Sequence, residues 1–323
     1  MIRSKEKKVV IFGGGTGLST LVRGLKKFPI DITAVVTVAD DGGSSGRLLN
    51  EYDIPPPGDV RNVMAALSDV EPLIEKMFQY RFASSESLKG HSLGNLMLAA
   101  LTNITGDFAR AVEQMSHILN IKGKVLPAAN QRITLHGELE DGTIVTGESK
   151  IPVYGRRIRR VYLTPEEVRP LPETVETIMN ADLVVFGPGS LYTSILPTIL
   201  VRDIRDAVIS CSAKKVYICN LTTQAGETLE YTASEHVQAL YDHAGEAFID
   251  TVLLNTADFT SLLDCGAYEG PPRPVEHDLE ELRKLVPHVV QKDIAVMVDG
   301  HIRHKSEKVA TWLMDYMENT LNP

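Results

Sequence analysis

The chain predicts an α/β fold: a Rossmann-like, mostly parallel sheet with helices on both faces and an antiparallel β insertion. Three observations carry that expectation. Val9-Val10-Ile11-Phe12 is an apolar run of strand length that breaks into Gly13-Gly14-Gly15-Thr16-Gly17, and Leu18, Leu21, Val22 and Leu25 then recur at helical spacing. The same order returns later, where Leu183-Val184-Val185-Phe186 runs into Gly187-Pro188-Gly189-Ser190 and a hydroxyl-rich helix start. Between and after these, β-branched runs alternate with helical patterns, the spacing that imposes parallel strands joined by crossover helices.

Taken in order, the second strand is Asp31-Ile32-Thr33-Ala34-Val35-Val36-Thr37-Val38, ending in Ala39-Asp40-Asp41-Gly42-Gly43-Ser44-Ser45-Gly46-Arg47. Helical material is expected from Val63 to about Phe82, and a small polar linker over 83–87. Gly90-His91-Ser92-Leu93-Gly94-Asn95 leads a helix over 96–104, and another follows from Asp107 to about Leu119. The character then changes. Residues 133–139 and 143–147 flank Glu140-Asp141-Gly142, a strong hairpin signal, so a β-rich insertion is read at about 131–163 within one α/β domain spanning 1–323. Its Arg156, Arg157, Arg159 and Arg160 form either a solvated edge or a partner-facing one. Further strands are read at 215–220, 248–255 and 294–298, and a closing helix at 306–318.

Composition narrows the function classes. Apolar residues make up 43% and charged residues 23% of 323, which supplies a large core. The net charge of −9 and the lack of a long basic run argue against a nucleic-acid surface. Cys211, Cys219 and Cys265 show no C-x-x-C spacing, which suits a reducing cytosol and offers no zinc site. No apolar run reaches membrane-spanning length, so membrane insertion is not expected and a cytoplasmic location is.

The chemistry is read at the strand ends. A glycine turn before a helix points free N–H groups outward and lets an anion touch the backbone, so Gly13, Gly14, Gly15, Thr16 and Gly17 read as a phosphate loop. Leu18 stands where a dinucleotide fingerprint needs its third glycine, which disfavours NAD. Gly187, Gly189, Ser190, Thr193 and Ser194 repeat the logic, and two such loops suit a diphosphate. Asp40 and Asp41 can hold Mg²⁺ together with ligand phosphates or a ribose hydroxyl; both roles stay open. Arg61 and Asn62, beside Asp59 at a helix start, and Ser44, Ser45, His91 and Asn95 are further polar candidates. Asn220 and Gln224 can read a base or sugar, while Tyr268 and Arg303 can close over a base or phosphate.

Taken jointly, the motifs at 13–17, 40–47, 58–62, 90–95, 187–194 and 220–228 occur in an order that resembles the YvcK-type gluconeogenesis factors, in the superfamily that includes the CofD 2-phospho-lactate transferases. The resemblance covers nearly the whole chain. It implies a cytoplasmic protein that binds UDP-sugars, notably UDP-N-acetylglucosamine, and is needed for growth on gluconeogenic carbon and for cell shape through peptidoglycan precursor supply. The transferase branch implies an alternative: a Mg²⁺-dependent phospholactyl-type transferase with its metal at Asp40, Asp41 and Asp59. The small-residue run after the acid pair resembles the YvcK pattern and disfavours deazaflavin chemistry. The resemblance also implies a Ser/Thr kinase acting near Ser306. A homodimer is expected, with the arginine-rich insertion as a plausible surface.

Overall fold

The computed structural model describes residues 6–70, 72–84, 87–259 and 273–321. The chain begins with β1 (Lys7–Gly13), α1 (Gly15–Leu25) and β2 (Ile30–Val36), then four helices, α2 (Gly43–Tyr52), α3 (Gly58–Leu67), α4 (Pro72–Gln79) and α5 (Leu93–Thr105). Helix α6 (Phe108–Ile118) leads to β3 (Lys124–Pro127). An antiparallel unit follows: β4 (Thr134–Leu139), β5 (Ile144–Thr146), a 3₁₀ segment at Glu148–Tyr154, and β6 (Ile158–Thr164). Next come α7 (Pro172–Met179), β7 (Leu183–Phe186), a π-turn at Leu191–Ile195 running into α8 (Leu196–Ile199), α9 (Arg202–Ser210), β8 (Lys214–Ile218), α10 (Ala233–Ala244) and β9 (Thr251–Asn255). The chain closes with α11 (Leu279–Leu285), β10 (His288–Lys292), β11 (Ala295–Val298), β12 (His301–His304) and α12 (Ser306–Leu321).

Seven strands form one sheet in the order β10-β9-β8-β7-β1-β2-β3, every neighbouring pair parallel. The chain runs outward from β1 through β2 to β3, then returns to β7 on the other side of β1 and runs outward the other way. That reversal is the topological switch point where ligands of this fold collect. Apolar runs explain the centre of the sheet: Val9, Val10, Ile11 and Phe12 are each 0% exposed, as are all four residues of β7. Phe12 stacks on Phe186 with ring centroids 5.0 Å apart, fixing the register of β1 against β7.

Three elements depart from expectation. The helical stretch over 63–82 is two helices, because α3 ends at an extended Ser68 and Pro72 opens α4 where its missing N–H costs nothing. Residues 295–298 do not join the main sheet; they pair antiparallel with β12 as a separate hairpin, and β10 supplies the edge strand instead. The acid- and serine-rich run after β2 is not only a loop, since α2 starts at Gly43. Among the described residues no helix is long and apolar enough to cross a membrane.

Candidate functional site

The two glycine turns meet. Gly17 has no room for a side chain: a Cβ there would lie 2.8 Å from the carbonyl carbon of Pro188 and 3.1 Å from the Gly189 nitrogen. Gly15 and Gly187 take positive φ values of 58° and 78°, a conformation that glycine adopts without strain. A cleft of about 290 Å³ opens above them, lined by residues 14–17, by Pro188, Gly189, Ser190 and Ser194, by Asn220 and Gln224, and by Arg303 and His304 from β12. A groove of about 720 Å³ adjoins it, sharing Thr16, Thr20, Arg303 and His304, and extends under β11–β12 toward Asn62 and Ser306.

Each turn is tied down from beneath by a buried carboxylate. Asp59, at the start of α3, accepts the Gly15 N–H, and a Cβ at Gly14 would collide with its carboxylate. Glu227 accepts the Thr193 hydroxyl at 3.0 Å and the Tyr192 N–H at 3.3 Å. These ties take N–H groups that a helix N-terminus otherwise offers to an anion, and they turn Thr193 inward, where it is 4% exposed. Burial, reinforced by the Asp40 charge, pushes Asp59 up to about 7; burial alone pushes Glu227 up to about 7 against its hydrogen bonds.

The insertion adds an acid that sequence reasoning missed. Glu148 opens the 3₁₀ segment, and burial followed by the charges of Asp40, Asp59, Glu227 and Asp41 pushes it up to about 8. Nothing local in the sequence marks it; its place depends on the insertion folding back over the sheet edge.

The expected three-acid metal set does not assemble. Asp41 turns to the insertion, where its Oδ1 accepts the Ser149 N–H at 2.8 Å, while Asp40 Oδ1 accepts the Gly42 N–H at 2.9 Å. Among the described residues no group of three or more His, Cys, Asp or Glu side chains is placed to hold a metal ion. The Asp40 charge still acts on Asp59, and a pair of carboxylates completed by ligand phosphates is a set that could hold Mg²⁺.

The helix-start polar residues bind each other. His91 Nδ1 and the Ser44 hydroxyl lie 2.9 Å apart, Asn95 Nδ2 donates to Ser44 Oγ at 3.1 Å, and Arg61 Nε donates to Asn95 Oδ1 at 2.8 Å. Arg61 also donates to Asn62 Oδ1 at 2.8 Å and to Gln79 Oε1. Burial lowers Arg61 to about 10 and keeps His91 below the usual histidine range. Ser45 and Asp40 crowd the Gly58 position instead. This network knits the N-termini of α2, α3 and α5 and is buried, so its first effect is to hold the loops in place.

Other candidates face the cleft. Asn220 Nδ2 donates to Gln224 Oε1 at 3.2 Å and Gln224 Nε2 to Ser190 Oγ at 2.8 Å, leaving Asn220 Oδ1 buried without a partner. Arg303 is half-buried on the wall shared by both cavities, and its guanidinium makes no hydrogen bond or ion pair with the described residues. Tyr268 lies outside the described residues. The insertion's arginines are matched within the chain: Arg156 with Asp141, Arg157 with Glu140 and Glu235, and Arg159 and Arg160 with Glu138.

A profile described as 2-phospho-L-lactate transferase CofD matches residues 9–295. The chain belongs to the CofD family. A Bacillus subtilis protein named gluconeogenesis factor is 59% identical to this CofD-family chain over 314 residues, covering 97% of it and 99% of the relative. A protein of the same name from Halalkalibacterium halodurans is 54% identical over 311 residues, covering 96% and 97%. A crystal structure of a Bacillus halodurans protein superposes with a TM-score of 0.93 at 54% identity, covering 96% of this chain and all of that one.

Proposed function

We propose that this CofD-family chain binds a nucleotide sugar, with UDP-N-acetylglucosamine as the first ligand to test, and acts as a regulator of gluconeogenic growth and of cell shape through peptidoglycan precursor supply. One observation carries the reading: two glycine turns press together at the switch point, and an unpaired guanidinium, Arg303, overhangs the cleft above them. The diphosphate would lie along residues 14–17 and 189–190, taking the N–H groups that Asp59 and Glu227 leave free. The Ser190 and Ser194 hydroxyls flank it, and Arg303 supplies charge where two phosphates bring negative charge. Asn220 offers a buried acceptor to a base or sugar N–H or O–H. The gluconeogenic role is supported by the printed name of relatives that match along nearly their full length.

Calorimetry with UDP-N-acetylglucosamine tests the ligand. Saturable heat and a thermal upshift are expected; no heat and no shift at millimolar ligand would end the proposal. A second reading, a Mg²⁺-dependent phospholactyl-type transferase, is favoured by the Asp40–Asp59 pair and the family profile. In that case Mg²⁺ held by the pair would neutralise a transferring phosphate, and turnover would vanish in Asp40→Asn. Nucleotide binding without turnover of any phospholactyl donor would reject it.

A further inference from the structure

On the nucleotide-sugar reading above, we propose that the groove of about 720 Å³ holds the nucleoside, and that Asn62 and Gln79 select a base edged with keto oxygens over one bearing an amino group. Both residues line the groove, Asn62 from α3 and Gln79 from the end of α4. Their amides are set by a residue that does not line it. Arg61 is 5% exposed, and its guanidinium donates to Asn62 Oδ1 at 2.8 Å and to Gln79 Oε1. A guanidinium has N–H donors and no acceptor, so each amide must turn its oxygen to Arg61 and its NH₂ the other way. Neither nitrogen has a partner among the described residues, and neither is shut off from solvent. The groove therefore meets two amide donors whose direction one guanidinium fixes.

The hairpin side of the groove is of another kind. β11 and β12 pair Val296 with Arg303 and Val298 with His301, which puts these four side chains on one face of the hairpin. All four line the groove, and both valines are exposed. Charge along the rim is mostly matched within the chain: Arg23 pairs with Glu75, Glu307 with Lys27, and Lys305 and Lys308 with Asp293. Asp299 stands at the hairpin tip, and Arg303 where the groove joins the phosphate cleft. An uncharged planar ring suits these walls. Its apolar faces cover Val296 and Val298, while keto oxygens on its edge accept from the two amides. A sugar ring has no such flat apolar faces. Uracil meets both demands, whereas cytosine carries an amino group in place of one keto oxygen, and a donor facing a donor leaves both unpaired.

Calorimetry with UDP and CDP is the test, since the two probes share their phosphates and ribose. Wild type is expected to bind UDP about tenfold more tightly than CDP. Gln79→Glu and Asn62→Asp each keep an oxygen for Arg61 and replace the donor by a second acceptor. In each variant the preference is expected to narrow to about threefold or less, because the cytosine amino group donates to the new carboxylate while the uracil oxygen loses its donor. Added charge or a shifted scaffold weakens both probes alike and leaves their ratio intact. Equal binding of UDP and CDP by wild type, or a wild-type ratio in both variants, would overturn the assignment. A wild type that binds neither probe would instead remove the nucleotide-sugar reading on which it rests. Should both variants fail to fold by circular dichroism, wild type is titrated with 2-thio-UDP and 4-thio-UDP, in which a poorly accepting sulfur replaces one keto oxygen. A loss of roughly fivefold for either thio probe supports the assignment, and affinities equal to that of UDP reject it.

Discussion

Arg61 binds three amide oxygens, from Asn95, Asn62 and Gln79, whereas the Arg303 guanidinium has no partner among the described residues. The two guanidiniums therefore answer to different measurements. Truncating Arg61 leaves the buried Asn95 oxygen without its donor, at a cost on the order of 1–3 kcal/mol, and frees two half-buried amide oxygens, from Asn62 and Gln79, that lose less. Arg61→Ala is expected to lose about 3 kcal/mol in urea denaturation. Arg61→Lys recovers only part of that, because one ammonium does not span three acceptors set around a planar fork. Arg303→Ala removes no internal side-chain bond, so its melting temperature should stay within about one degree of wild type, below the roughly 1.5 degrees that a 1 kcal/mol loss produces in a chain of this length. Its UDP-N-acetylglucosamine affinity should fall roughly 30-fold, the equivalent of about 2 kcal/mol for a lost charge-assisted contact. A stability loss with unchanged affinity would place Arg303 in the framework instead.

Close approach between elements separates binding from scaffolding in the same way. Gly17 lets α1 begin against the Pro188 turn, while Gly24, two turns further along the same face of that helix, lets the start of α12 pack closely, with a Cβ there 2.8 Å from the Ser306 carbonyl carbon. Alanine at either site should destabilise by about 1–3 kcal/mol through overpacking. Only Gly17→Ala is expected to weaken UDP binding as well, because it parts the two turns proposed to share the diphosphate. Paired denaturation and calorimetry curves check this, and equal binding by both variants would dissociate the turns from the ligand. Element legibility follows the same physics. β1 and β7 were readable because strands buried on both faces are unbroken apolar runs. β3 was not, since Lys124-Val125-Leu126-Pro127 is four residues long and ends in proline, and β10 was hidden by the polar His288, Gln291 and Lys292 of an edge strand. The glycine turns announced themselves locally. The ties beneath them did not, because Asp59 to Gly15 and Glu227 to Thr193 join residues far apart in sequence.

At the scale of the molecule, the sheet edge concentrates carboxylates that the fold holds against their preference, and stability must record it. Asp59 and Glu227 are raised to about 7 and Glu148 to about 8, chiefly by burial. An acid whose pKa is raised in the folded state holds a proton that the unfolded chain has already released. The folded state therefore binds more protons from about pH 4 upward, and stability falls as pH rises through the folded values. Below about pH 6.5 this slope is opposed by His236 and His304, which burial lowers to about 4 and which the unfolded chain protonates first. Those histidines make stability rise with pH between about 4 and 6.5, so the two sets partly cancel there. From pH 6.5 to 8 the acids outweigh what remains of the histidine effect, and a loss on the order of 2–3 kcal/mol is expected across that window. Guanidinium unfolding at pH 6.5, 7.2 and 8 measures it. Asp59→Asn should flatten the fall by removing one of the three protons, and a profile that stays level in wild type would mean that the rim is solvated and that the carboxylates beneath the glycine turns are ionised throughout.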